Sequence, residues 1–214
     1  GEDVEEDDED DDFDSSSNNQ THQEYLSSWG LDFIPAIVVL GDEKSGKSSL
    51  LQRLTMLSLF PSDVRLCTTA VAIIKFRRGP AKAPVLRKFR DGQMIKETHV
   101  ATAVSDGAIS QSMPDALSSS EHLDIEITHP FAPNLDVYDF PGFTAGKDNT
   151  PIVQMFERHV KHHNHRSIYL YTITACDVNA EPGSPSRVRM RETFEKFPEV
   201  VKKTLVVFTQ ADRA

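Results

Sequence analysis

The chain has 214 residues, 38% of them hydrophobic, which is enough for one sizeable core and so for one α/β domain. Its formal charge is −10, but residues 1–14 (GEDVEEDDEDDDFD) hold eleven carboxylates and no base, leaving the other 200 residues at +1. A body so close to neutral gives no support to nucleic-acid binding, and no apolar stretch approaches the roughly 18 residues of a membrane span.

The acidic run passes into the polar SSSNNQTHQ, so residues 1–20 are expected to form a disordered acidic tail. Residues 21–33 read as a leader or short helix with Trp29 as its anchor, and residues 34–214 as the folded domain. Pro35–Leu40 is apolar without alternation, as strands buried on both faces are. Lys47–Leu57 follows as an amphipathic helix, Phe60–Thr69 as a loop and Ala70–Phe76 as a second strand. Val85–Arg90 and Gln93–Lys96 flank Asp91-Gly92, a hairpin turn. Ala101–Ser120, rich in Ser and Ala, reads as an insertion or mobile loop.

Strands resume at Leu123–Thr128 and Leu135–Tyr138, then come a helix over Pro151–His163 and a strand over Ile168–Thr174. A charged amphipathic helix covers Ser186–Phe197, and Leu205–Phe208 is the last strand. Strands alternating with helices predict an α/β fold with a mostly parallel central sheet and helices on both faces. Cys67 and Cys176 lie far apart and make no disulfide framework, so a cytoplasmic, reducing compartment is expected. A chain that starts without Met and stops at Ala214 is expected to be a fragment of something longer.

Three motifs carry chemistry, each at the end of a predicted strand. Gly41–Ser48 (GDEKSGKS) fits GxxxxGK(S/T) between a buried strand and a helix, the P-loop context. Backbone N–H groups of Gly41, Asp42, Glu43, Lys44, Ser45, Gly46, Lys47, Ser48 and Ser49 would wrap nucleotide phosphates, with the Lys47 ammonium on the outer ones and the Ser48 hydroxyl on Mg²⁺. Asp139–Gly142 (DFPG) fits DxxG, in which Asp139 holds Mg²⁺ through water and the Gly142 N–H meets the terminal phosphate. Thr209–Asp212 (TQAD) fits the base-reading pattern: Asp212 accepts two hydrogen bonds from the N1–H and amino group of guanine, donors that adenine does not offer together. Thr209 and Gln210 complete that segment. The expected ligands are therefore GTP or GDP with Mg²⁺. A threonine between the first two strands is needed to cap Mg²⁺ and orient water, and Thr68 or Thr69 stands there.

The segments GDEKSGKSSLLQRL, FPSDVRLCTTAVAIIKF, ITHPFAPNLDVYDFPGFT, IYLYTITACDVNA and VVFTQAD resemble the GTPase domain of the dynamin superfamily. An extra strand ending in His129-Pro130, the proline Pro141 inside DxPG, and a polar loop at Thr174–Ala180 add to the likeness. The resemblance covers residues 34–214, patchily between 78 and 120. It implies GTP hydrolysis, dimerisation across the nucleotide face, and higher oligomers through a helical stalk that acts on membranes and lies outside this chain. It makes Thr68 the switch threonine and third Mg²⁺ ligand with Ser48 and Asp139, because that alignment keeps Ile74 and Phe76 inward.

The likeness also has gaps. Where dynamins carry a Gln-Ser pair in the phosphate loop, this chain has Glu43 and Lys44, and where they carry first-switch glycines it has Asp63 and Arg65. In the family those positions hold a monovalent cation that neutralises charge developing between the phosphates. Lys44 or Arg65 is expected to substitute for it, beside Lys47 and Thr68 in the catalytic set. Glu43, a like charge near the γ-phosphate, favours instead a nucleotide-binding scaffold with feeble hydrolysis. Another P-loop class, Roc- or septin-like, is the remaining alternative.

Two further clusters invite bland readings. His159, His162, His163 and His165 gather at a helix end, and the i, i+4 pair His159/His163 has metal-ligand spacing; a cationic helix terminus is the reading adopted. Arg77, Arg78, Lys82, Arg87, Lys88 and Arg90 form a basic strip, read as a solvated hairpin rather than a contact for acidic lipid.

Overall fold

The computed structural model describes residues 33–55, 70–100, 120–178 and 184–210. The chain divides at Ile34/Pro35, and the sheet belongs entirely to the second unit. Its elements are β1 (Ala36–Gly41), α1 (Lys47–Thr55), β2 (Val71–Arg78), β3 (Val85–Arg90), β4 (Gln93–His99), β5 (Glu121–His129) and β6 (Leu135–Asp139). These are followed by α2 (Thr150–His163), a 3₁₀ turn (Asn164–Arg166), β7 (Ser167–Thr174), α3 (Ala175–Val178), α4 (Pro185–Lys196), α5 (Pro198–Val201) and β8 (Thr204–Thr209).

The eight strands form one sheet in the order β4-β3-β5-β2-β6-β1-β7-β8. The half that carries the motifs is parallel: β1 lies between β6 and β7, and β7 pairs β8. Strand β2 is parallel to β5 but antiparallel to β6, and β3 is antiparallel to β4 and β5. The predicted P-loop α/β architecture with a mostly parallel, mixed sheet is what the chain adopts.

Each face of the sheet is buried by its own cluster. Val39, Leu51, Ile74, Phe76, Ile125, Val137 and Leu170 fill one side, under α1. Val38, Leu40, Tyr138, Phe140, Phe156, Tyr169, Tyr171, Phe197 and Val200 fill the other, under α2 and α5. Strand β1 therefore has no polar face, which is why its sequence does not alternate. Helix α2 sends Ile152, Met155, Phe156, His159 and Val160 inward at helical spacing, with Pro151 in its first turn where a missing N–H costs nothing. Asp91 and Gly92 both have positive φ (51° and 79°), as a two-residue hairpin turn requires.

The structure corrects some boundaries and two readings. Strand β4 runs on to His99, and a short helix, α3, winds through Ala175–Val178 where a polar loop was expected. Residues 1–32, the loop Phe60–Thr69 (with Asp63, Arg65, Cys67, Thr68 and Thr69), residues 101–119 and Asp212 lie outside the described residues. Four cations of the basic strip are paired from β4, β5 and β6: Arg77 pairs Asp136 at 2.8 Å, Arg87 pairs Glu97 at 2.7 Å and Glu126 at 2.6 Å, and Lys88 and Arg90 share Glu121 at 3.1 and 2.6 Å.

His159 does not belong to the cationic helix terminus expected for the cluster. His159 is buried on the α2 face, its Nε2 3.0 Å from Ser167 Oγ and its ring edge-on to Tyr138 with centroids 4.4 Å apart. Burial, aided by the charges of His163 and Arg166, pushes its pKa down to about 3; burial lowers that of His163 as well. Among the described residues no cluster of three or more His, Cys, Asp or Glu could hold a metal, and no helix is long and apolar enough to cross a membrane.

A histidine near 6.5 when unfolded and about 3 when folded contributes stability that is complete above pH 6.5 and drains away as pH falls toward 3. The urea midpoint should therefore drop between pH 7.5 and pH 5. In His159→Gln, less stable at pH 7.5, that drop should be visibly shallower. An unchanged pH slope would show that His159 is not the group responsible.

Candidate functional site

The three motifs converge on one edge of the sheet because β1, β6 and β8 run parallel within it, separated only by β7 between β1 and β8. Residues leaving the C-terminal ends of these strands thus meet, the usual location of a ligand crevice in an α/β sheet.

The phosphate loop leaves β1 at Gly41, whose φ is +142°. A Cβ there would sit 2.4 Å from both the carbonyl oxygen and the hydroxyl of Thr172 on β7, so only glycine permits the close approach. Thr172 Oγ1 donates to Leu40 O at 3.0 Å and lies 2.6 Å from Ser45 Oγ, tying the crest of the loop to β7. Thr209 Oγ1 donates to Ser45 O at 2.6 Å, and Gln210 Nε2 donates to Lys44 O at 3.1 Å. The TQAD segment is therefore fastened to the phosphate loop itself through Thr209 and Gln210. Lys44, at φ 64°, and Gln210, at φ 54°, both take left-handed backbone conformations where these bonds are made.

The DxxG segment is attached on the other side. Glu43 N donates to Phe143 O at 2.8 Å and Phe143 N donates to Gly41 O at 3.1 Å, so Asp42 and Phe143 form an isolated parallel bridge. Thr144 Oγ1 donates to Glu43 Oε2 at 3.3 Å, and Asn149 brackets Thr144 by bonding its N–H and its carbonyl, each at 3.0 Å. A Cβ on Gly142 would fall 2.7 Å from Glu43 N and 2.8 Å from Lys47 Nζ. Only glycine lets the DFPG backbone pack this closely against the loop and the lysine ammonium, and the three together form a cradle of positive character for an anion.

Lys47 is buried at the start of α1, its Nζ donating to Gly41 O at 3.2 Å and to Asp42 O at 2.7 Å. Asp139 is buried at the end of β6, in register with Val39. Ser48 and Ser49 are exposed in the first turn of α1, and Glu43 and Lys44 are exposed at the crest of the loop. The Ser48 hydroxyl and the Asp139 carboxylate are the described groups that could hold Mg²⁺, which prefers hard oxygen donors. Beside the loop opens a cleft of about 290 Å³ lined by Glu43, Lys44, Thr144, Ala145, Thr174 and Arg189.

The chain matches the Dynamin family over residues 37–207. The chain belongs to the dynamin family. Human interferon-induced GTP-binding protein Mx2 is 34% identical over 128 residues, covering 55% of this chain and 17% of that protein. Putative dynamin-related protein 4A of Arabidopsis thaliana is 25% identical over 187 residues, covering 85% of the chain and 60% of the relative. Zebrafish interferon-induced GTP-binding protein MxC is 26% identical over 190 residues, covering 84% and 29%. The chain thus spans from under a fifth to three fifths of these relatives. Membership of the dynamin family replaces the Roc- or septin-like alternative, and the domain is a dynamin-type GTPase domain.

Several residues of this dynamin-type site were invisible in the motifs. Thr172 had a faint signal, a hydroxyl interrupting the apolar run IYLYTIT. Ser186 and Arg189, on what read as a merely charged helix, both reach Asp42 of the phosphate loop. Contacts spanning more than 140 residues leave no local trace.

Gly142→Ala would drive a methyl group into the Glu43 backbone and Lys47 Nζ. It should weaken GTP binding about tenfold or more and lower the melting temperature, because the backbone of Glu43 would have to shift. Titration of a fluorescent GTP analogue checks this, and wild-type affinity in the variant would deny the cradle a role.

Proposed function

We propose that the protein binds GTP with Mg²⁺, hydrolyses it to GDP and phosphate, and couples its nucleotide state to self-assembly. The observation that carries this reading is that the phosphate loop is hydrogen-bonded on one side to the TQAD segment and on the other to the DFPG segment. One ligand can therefore be read at both its base and its terminal phosphate.

In this reading the loop N–H groups and Lys47 hold the phosphates, Gly142 meets the terminal one, and Asp212 selects guanine. Ser48, Asp139 and Thr68 hold Mg²⁺, which would neutralise phosphate charge and fix the oxygens. Lys44, at the exposed crest of the loop, or Arg65 supplies the positive charge that a monovalent cation gives other dynamins. Gln210 lacks the usual lysine charge, so guanine selection rests on Asp212 with reduced affinity. Dimerisation across the nucleotide face, higher oligomers through a stalk beyond this chain, and remodelling of a membrane met peripherally from the cytoplasm are proposed on family membership alone.

Glu43 favours a second reading, a nucleotide-binding scaffold that hydrolyses feebly. Its carboxylate sits beside the cradle, bonded to Thr144, where added negative charge opposes a loaded triphosphate.

The deciding assay is GTP turnover by the full-length protein and by Lys47→Ala, at high protein concentration with Mg²⁺, with and without K⁺. Turnover lost in Lys47→Ala, by about a hundredfold or more, and indifferent to K⁺ supports a GTPase with a built-in cation. A marked rise on adding K⁺ would refute the substitution by Lys44 or Arg65. Binding without turnover would favour the scaffold.

A further inference from the structure

Asp42 opens the phosphate loop, yet its carboxylate does not face empty solvent. Arg189 Nε donates to Oδ1 at 2.8 Å, Arg189 Nη2 donates to Oδ2, and Ser186 Oγ donates to Oδ2 at 2.5 Å. Both oxygens are thus engaged by a guanidinium fork and a hydroxyl, with the paired side chains only 14% and 19% exposed. Ser186 and Arg189 stand three residues apart, on one face of α4. That helix is itself held to the core through Met190 and Phe194, the latter edge-on to Tyr171 with centroids 5.7 Å apart.

Meanwhile the Asp42 backbone carbonyl accepts from Lys47 Nζ at 2.7 Å and from Ser45 N at 3.1 Å. One residue therefore links α4, through its side chain, to the lysine and the loop backbone, through its main chain.

We propose that Ser186 and Arg189 form a clasp on Asp42, and that Arg189 is a positioning residue for nucleotide binding. The clasp does two things. It fixes the first residue of the loop, and with it the acceptor that aims Lys47. It also cancels a carboxylate that would otherwise repel the incoming polyphosphate at close range and low dielectric. Arg189 acts through Asp42 and not on the nucleotide. A guanidinium suits this task because its planar fork spans both carboxylate oxygens, whereas a lysine would engage one. The clasp rests on the nucleotide reading above and extends it to a helix that carries none of the three motifs.

The test is the affinity of the full-length protein for a fluorescent GTP analogue, with melting temperature read in parallel. Arg189→Ala should weaken binding about tenfold by stranding the Asp42 charge, and Arg189→Lys should fall between it and the wild type. Adding Asp42→Asn to Arg189→Ala should restore most of the lost affinity, because the stranded charge is gone. Mere structural support would lower the melting temperature without that rescue. Should Arg189→Ala not fold, Arg189→Lys with and without Asp42→Asn carries the same comparison. Wild-type affinity in folded Arg189→Ala, or no rescue by Asp42→Asn, overturns the clasp. A wild-type protein that binds no GTP overturns the nucleotide reading, and the clasp's role with it.

Discussion

A phosphate loop cannot hold its own shape. N–H groups kept for a ligand are not available for helix or sheet, so the form of the loop has to be imposed by neighbours. Here the imposition comes from β7. Thr172 ties Leu40 O to Ser45 Oγ, its own carbonyl presses against Gly41, and β7 pairs β1 on one side and β8 on the other. The crest of the loop is then closed from β8 by Thr209, and its first half from the DFPG segment by Phe143. The site exists because a parallel sheet delivers these strand ends to one level.

Much of this was legible in the sequence, for identifiable reasons. Continuous apolar runs marked β1 and β7 because both faces of these strands are covered, and Asp91-Gly92 marked its hairpin because few residues tolerate two positive φ values in succession. Legibility failed where polar residues pair. The end of β4, Glu97–His99, joins β3 without any hydrophobic alternation. Strand direction failed too: nothing in the pattern of β2 says that it runs parallel to β5 and antiparallel to β6. The four site positions that sequence placed but the described residues do not reach, Asp63, Arg65, Thr68 and Asp212, stay inferences from motif and family.

Charge read from composition misled more than apolar pattern did. The basic strip became a set of cross-strand pairs because its acidic partners, Glu121, Glu126 and Asp136, sit on other strands. Asp136 shows what such pairing does. It takes Arg77 from β2 at 2.8 Å and Arg166 from the turn before β7 at 2.7 Å. Buried pairs of this kind add little net stability but are costly to break, so they specify which strand lies beside which. Asp139, three residues on along the same strand, is buried at the loop end instead. The two aspartates of β6 thus divide into one paired with arginines along the sheet and one buried at the end nearest the phosphate loop.

The same logic explains how a loop with two acidic residues can still receive a polyanion. Asp42 and Glu43 would together place two negative charges where phosphates must lie. Asp42 is occupied by Ser186 and Arg189, and Glu43 is drawn toward Thr144, which Asn149 in turn holds in place. Asp42 is thus paired with a cation on α4, whereas Glu43 has only the Thr144 hydroxyl and stays beside the cradle as the acidic group that a triphosphate would meet. What is left at the centre is the loop backbone, Gly142 packed against it, and the Lys47 ammonium. Glu43, the acidic residue by which this loop departs from the family's pattern, therefore stands on a wall of the site and not on its floor.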